Sequence, residues 1–320
     1  MPIEIAHPLR WLKVSIVLLA ILVFCGTLYA IHLQKGEKAD IEVQERTQIP
    51  TLGELLAMPS EELEQQDIAV VNLVCAQGLY GAKNLDINKC LEQIDVWATQ
   101  ARILLSEREF MFHQAPERSN YSINRWRCGG LGLFLSKIIG LSYHPDRRNL
   151  KSGGIYDTHH FQDSRDFMIH GLILEKNRGT CASMPVLYAA IARRLGYPIK
   201  FVRTRNHLFL RWVDPEGKEN FNIEWTDVYV DFRSNDYYKS WPAQLNLGEI
   251  ERQGYLIPLS AERTMSSFMH HRAMCLWFHG DLTEAKNSFV EAYRLDDNRA
   301  ARAACIRAIE KEIQNERNSK

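Results

Sequence analysis

The chain has 320 residues, with 39 Lys and Arg balanced by 39 Asp and Glu for a formal net charge of zero. That balance excludes the basic field of a nucleic-acid binder and the acidic field that would draw basic partners. With 46% apolar and 24% charged residues the composition is globular, and the length suits two modest domains or one with appendages.

Residues 14 to 31, VSIVLLAILVFCGTLYAI, are uncharged and mostly apolar, long enough to cross a hydrocarbon core. Trp11 and Tyr29 lie near its ends, where aromatic rings favour the membrane interface. A cleaved signal has a shorter apolar region. Leu28 stands where cleavage needs a small residue, and Phe24 before Cys25 is too large for lipoprotein processing. The expectation is an uncleaved single-pass anchor within residues 1 to 35. Arg10 and Lys13 on one flank, against Lys35 and Lys38 on the other, lean slightly to a cytoplasmic amino terminus. The bulk of the chain would then be extracytoplasmic.

Residues 36 to 50, GEKADIEVQERTQIP, read as a polar linker. Thr51 with Glu54 spells a capping box, and Ser60 after Pro59 starts a second helix. DIAVVNLVCAQGLYG and INKCLEQIDVWATQARILL carry apolar residues at helical spacing, and LGLFLSKIIGL runs on toward Pro145. Residues 51 to 145 are thus expected to form an all-helical subdomain. KSGGIYDTHHFQDS is loop-like, with Gly153 and Gly154 at its start, and DFMIHGLILEKNRG predicts a short helix stopped by Gly179.

In NRGTCASMPVLYAAIARRLGYP, residues 177 to 198, Thr180 can cap a helix. Pro185 is tolerable near the first turn, and Gly196 with Pro198 ends the segment. Cys181 therefore stands at a helix mouth, where unpaired N–H groups and the positive end of the dipole favour a thiolate. The seven cysteines (25, 75, 90, 128, 181, 275 and 305) are odd in number, irregularly spaced and without a CxxC. Neither a disulfide framework nor a zinc knuckle follows, and most read as small buried hydrophobes. Taken alone, Cys181 would read the same way.

IKFVRT, HLFLRWV and NFNIEWT then predict three short strands, with the turn DPEG, residues 214 to 217, between the last two. If DPEG is the whole loop, Val213 pairs with Lys218, and His207 falls directly opposite Glu224. Alternation puts Asn222, Glu224 and Thr226 on one face and Phe221, Ile223 and Trp225 on the other. A carboxylate there can orient the imidazole and leave its second nitrogen for the thiol. A slip of one residue would separate them. Asn222 is a minor alternative orienter.

NRGTCASMPVLYAAIARRLGYPIKFV, NHLFLRW and FNIEWT resemble the transglutaminase-like superfamily of papain-type cysteine enzymes. They are most similar to a bacterial branch with helices before the core and tetratricopeptide-like helices after it. The resemblance is strong over residues 165 to 245. It implies Cys181 as nucleophile, His207 as base and Glu224 in the place of the orienting acid, where the superfamily usually carries Asp. The implied reaction is thiol-dependent acyl transfer, by amide hydrolysis or transamidation, on a peptide or protein substrate. The Cys181 N–H, with a second donor the sequence does not identify, would serve the oxyanion.

At the C-terminus, Ala273, Gly280, Ala285, Phe289 and Ala292 fall at the spacing of a tetratricopeptide repeat, with Asp297 in place of the usual closing proline. RAARAACIRAIEKEI would follow as a capping helix. One repeat favours packing on its own domain over a partner groove, though a protein partner there stays open.

The full expectation is an α+β chain. It comprises an anchor (1–35), a linker (36–50), helices (51–145), a papain/transglutaminase-like core with a helix on a small antiparallel sheet (146–258), and a helical hairpin (259–320). No cofactor or metal is expected. His159-His160 and His270-His271 lack metal-ligand spacing and read as surface or packing residues. His170, four residues after Asp166, suggests an ordinary helix-face pair, and Arg178 a solvated loop arginine. The rival to an enzyme is a silent scaffold of the same fold that binds a protein partner. A redox sensor would need a resolving cysteine that no sequence neighbour supplies.

Overall fold

The computed structural model describes residues 48–114, 122–147, 161–175, 177–296 and 299–319. The expected anchor and most of the linker, the Gly153-Gly154 loop and His159-His160 lie outside the described residues. Among those described, no helix is long and apolar enough to cross a membrane. Pro50–Lys320 forms one compact unit.

It opens on short helices, α1 (Leu52–Ala57), α2 (Ser60–Gln65) and α3 (Ile68–Ala76). The capping box forms, with Glu54 N–H donating to Thr51 Oγ1 at 3.2 Å and Thr51 N–H to Glu54 Oε2 at 2.7 Å. Nearly all of α3 is buried, and its Asn72 Oδ1 accepts from Ile169 N–H at 3.0 Å, tying it to the core. The long α4 (Ile87–Gln114) buries Cys90, Ile94, Ala98, Ala101 and Leu105, one stripe at helical spacing. Helix α5 (Ile123–Leu133) runs into a wide turn, Phe134–Ile138.

Two residues then extend as β1 (Ser142–Tyr143). The single helix expected before Gly179 is instead two, α6 (Ser164–Phe167) and α7 (Ile169–Leu174), broken at Met168. Gly179 does not stop a helix. It belongs to β2 (Arg178–Gly179), which pairs in parallel with β1, Tyr143 against Gly179. A Cβ at Gly179 would come within 2.8 Å of Ser183 Oγ and 2.9 Å of Leu172 and Met184. This crowding, rather than a cap, is what requires glycine there.

Helix α8 (Met184–Arg194) is buried from Met184 through Ala192, so it is apolar all round and forms the centre of the core. Gly196, at φ 81°, ends it as expected. At its end Arg194 pairs with Asp67 at 2.5 Å and Asp95 at 2.6 Å. β3 (Ile199–Thr204) and β4 (His207–Val213) match the expected strands, while β5 (Asn220–Ile223) stops short of the expected Thr226 and leaves Glu224 beyond its end; the antiparallel sheet has the order β3-β4-β5.

The β4–β5 register differs from the expectation. Val213 pairs with Asn220 and Leu210 with Ile223, not Val213 with Lys218. The Asp214 N–H reaches past DPEG to the Glu219 carbonyl at 3.2 Å, while Gly217 closes the inner turn on Asp214 at 3.0 Å. The slip is two residues, so every side chain keeps its face.

Helices α9 (Asn235–Ser240) and α10 (Leu247–Gln253) cover the sheet. The C-terminal hairpin, α11 (Ala261–Phe278) and α12 (Leu282–Leu295), buries Ala273, Ala285, Phe289 and Ala292 and turns at Gly280, φ 79°. Helix α13 (Arg299–Asn318) follows.

Candidate functional site

Cys181 lies in a turn that leads into α8. Met184 N–H donates to the Thr180 carbonyl at 2.9 Å, and Thr180 Oγ1 accepts from Ala182 N–H at 3.2 Å, as a cap does. Thr180 and Ser183 hydroxyls both donate to the Asp166 carbonyl, at 3.1 and 3.2 Å, which clamps the turn to α6. Cys75, Cys90, Cys128, Cys275 and Cys305 are buried, and burial pushes the first four thiols up to about 12. Among the described cysteines, Cys181 alone is not buried.

His207 opens β4 and is 7% exposed, beside Glu224 at 8%. Their contact is Nε2 to Oε2 at 2.7 Å. β5 ends at Ile223, so Glu224 lies one residue past the β4–β5 ladder and reaches His207 through its side chain. The Glu224 backbone is fixed by two bonds with Asp231, at 2.8 and 2.9 Å. Oε1 accepts from Thr226 Oγ1 at 2.9 Å and Oε2 from Tyr238 Oη at 2.8 Å. With Nε2 turned to the acid, Nδ1 is the ring nitrogen on the other side, and Cys181 is near enough to act on the charge of the ring.

Burial works against charge on His207, but the Glu224 carboxylate, its hydrogen bond to the ring and the nearby Cys181 outweigh it and lift the imidazole to about 10. Burial likewise opposes ionisation of Glu224, yet the His207 charge and the His207, Tyr238 and Thr226 bonds hold it below its ordinary value. The pair at neutral pH is imidazolium with carboxylate.

Of the three residues singled out by sequence, His207 and Glu224 are in direct contact, and Cys181 is near enough to act on the His207 charge. Asn222 is not part of the group. It accepts from Arg211 Nε at 2.7 Å and donates to the Arg233 carbonyl and Asn235. His170 does not form the helix-face pair expected with Asp166, because the helix breaks between them, and its Nε2 meets Ser164 Oγ at 3.2 Å. Arg178 is exposed. His270 and His271 pack on Phe289 and on Phe161 and Phe167.

Three further side chains complete the group. Tyr238 stacks flat on Phe209 at 3.7 Å behind the imidazole, and Trp241, 38% exposed, meets the His207 ring edge-on at 4.7 Å. Tyr143, on β1, stands near enough to Cys181 for the two to interact electrostatically. No local motif marks any of them, since each arrives from another element. The face of Thr226 was legible from alternation.

Residues 155–235 match the family model of the transglutaminase-like superfamily, so this stretch of the chain is a transglutaminase-like domain. The match contains Cys181, His207 and Glu224 but neither Tyr143 nor the helices outside it. No curated protein and no solved structure matches the chain.

Proposed function

We propose that the protein is a thiol-dependent acyl-transfer enzyme in which Cys181 is the nucleophile, His207 the proton carrier and Glu224 the residue that orients it. The observation that supports this most is a buried imidazole held at 2.7 Å by a buried carboxylate, with the half-buried thiol of Cys181 near enough to act on its charge. Charged His207 supplies the counter-charge for a Cys181 thiolate. That sulfur attacks an amide or ester carbonyl, and His207 gives its proton to the leaving amine. The neutral ring then takes a proton from water, for hydrolysis, or from an incoming amine, for transamidation. Glu224 holds the ring and its charge throughout. With residues 14 to 31 as an anchor, the substrate would be a peptide or protein at a membrane surface.

The test is iodoacetamide labelling at about pH 6, read by peptide mass spectrometry, where thiolate fraction controls the rate. Cys181 is expected to label first, and His207→Ala to slow it by about 10²-fold or more. Indiscriminate labelling of all seven cysteines would favour instead a silent scaffold that uses the C-terminal helices to hold a protein partner.

A further inference from the structure

The buried Glu224 carboxylate can be followed oxygen by oxygen. Oε1 accepts from Thr226 Oγ1 at 2.9 Å, and Oε2 is shared by His207 Nε2 at 2.7 Å and Tyr238 Oη at 2.8 Å. Tyr238 is fixed in this place. Its side chain is fully buried, its ring lies on Phe209 with the planes 3° apart, and its carbonyl accepts from Thr204 Oγ1 at 3.1 Å. Thr204 pairs with His207 across β3 and β4, so the strands that place the imidazole also place the phenol. Two other titratable groups feel the Glu224 charge, Tyr143 of β1 and Tyr237 of α9, and burial keeps both phenols protonated. Asp231, bonded to Glu224 through the backbone, has its own carboxylate paired with Arg233.

Burial penalises two charges more than two neutral groups, so it draws the proton along this 2.7 Å contact from Nε2 to Oε2. In that transfer the N–H bond breaks, its electron pair stays on Nε2, and an oxygen lone pair forms the new O–H bond. The product is a neutral acid beside a neutral ring whose remaining proton is on Nδ1. Such a ring can neither take a thiol's proton at Nδ1 nor balance a thiolate. A hydroxyl that donates to Oε2 stabilises the charged acid over the neutral one and opposes the transfer. Resting on the reading of Cys181 as nucleophile and His207 as its proton carrier, we infer that Tyr238, seconded by Thr226, is a positioning residue that keeps the shared proton on His207. Tyr238 leads because it acts on the oxygen that would receive the proton, and from a sealed position where Thr226 is only half-buried.

The experiment uses Tyr238→Phe in the full chain, which removes the hydroxyl and keeps the ring on Phe209. Nitrogen-15 NMR of labelled histidine counts the ring nitrogens that carry a proton, and His207→Ala identifies the His207 signals by their loss. At neutral pH the wild-type ring is expected to be protonated on both nitrogens and the Tyr238→Phe ring on Nδ1 alone. The pH midpoint of Cys181 labelling by iodoacetamide should rise by about one pH unit, or about 10-fold in rate at low pH, as one hydrogen bond to a charged group allows. A midpoint, unlike a rate, does not move with the fraction folded. A His207 ring in the same state in both chains, doubly protonated or neutral, overturns the inference. Should Tyr238→Phe not fold, Thr226→Val removes the donor on Oε1, and an unchanged ring there overturns it as well. A ring that loses its Nε2 proton while the labelling midpoint stays put upholds the inference and sinks the nucleophile reading instead, a separate result.

Discussion

At the scale of single residues, the identity of the acid follows from geometry. An Asp at 224 would be shorter by one methylene, about 1.5 Å. From a 2.7 Å contact that leaves no hydrogen bond to His207. Glu224→Asp should therefore slow labelling of Cys181 nearly as much as Glu224→Gln, despite retaining the charge. The same pair gives a pH signature. Glu224, held below 4.5, contributes stability present above 4.5 that is lost as pH falls through its folded value. His207, raised from 6.5 to about 10, contributes stability complete below 6.5 and lost as pH rises through about 10. The Tm advantage of the wild type over Glu224→Asp should be widest between those limits, pH 4.5 to 6.5, and shrink toward pH 10. A gap that widens with alkali would contradict the charged pair. Cys181, His207 and Glu224 were legible because a cap, a strand start and period-two alternation are each local signals. Tyr238 was not, since its bond to Glu224 comes only from which backbone lies beside it.

At the scale of elements, bounds were easier to read than register. β3 and β4 match the quoted strands end to end because β-branched and aromatic runs are flanked by turn residues. The loop after β4 was misjudged because DPEG forms only the inner turn, while Lys218 and Glu219 belong to the connection. The even slip spared the site. The break between α6 and α7 has no proline or other breaker at it, and a close local approach of the two backbones goes with it. A Cβ at Gly171 would lie 1.9 Å from the Arg165 carbonyl oxygen, backbone against backbone. Gly171→Ala should lower stability by about 3 kcal/mol, the upper end for overpacking, in denaturant unfolding. Gly53→Ala, with nothing within 4 Å of its added Cβ, should leave stability unchanged or raise it by about 0.5 kcal/mol. Equal effects would mean that the tight approach is not what bends the chain there.

At the scale of the molecule, the sheet and the C-terminal helices are joined through one buried carboxylate. Asp296, with no side-chain exposure, accepts from Arg203 of β3 at 2.5 Å, Arg263 of α11 at 3.0 Å and Arg302 of α13 at 2.8 Å. Burial opposes its ionisation, yet the Arg203 and Arg302 bonds and charges hold it far below the usual carboxylate range. Asp296→Asn withdraws the charge from three guanidinium groups and should cost about 3–5 kcal/mol, seen as a lower denaturant midpoint. Asp236→Asn, which breaks an exposed pair with Lys239, should leave the midpoint where it was. The hairpin itself was legible from small residues at repeat spacing. Its attachment was not, because Arg203 and Asp296 are 93 positions apart and each alone resembles surface charge.

The ladder between β1 and β2 has a consequence for local opening. It hangs on two main-chain amides, those of Ser142 and His144, and so short a zipper can open without melting the protein. Deuterium uptake at those two amides then gauges whether β1 is docked beside the segment that leads to Cys181, independently of global unfolding. A ligand that slows their exchange is holding that ladder shut.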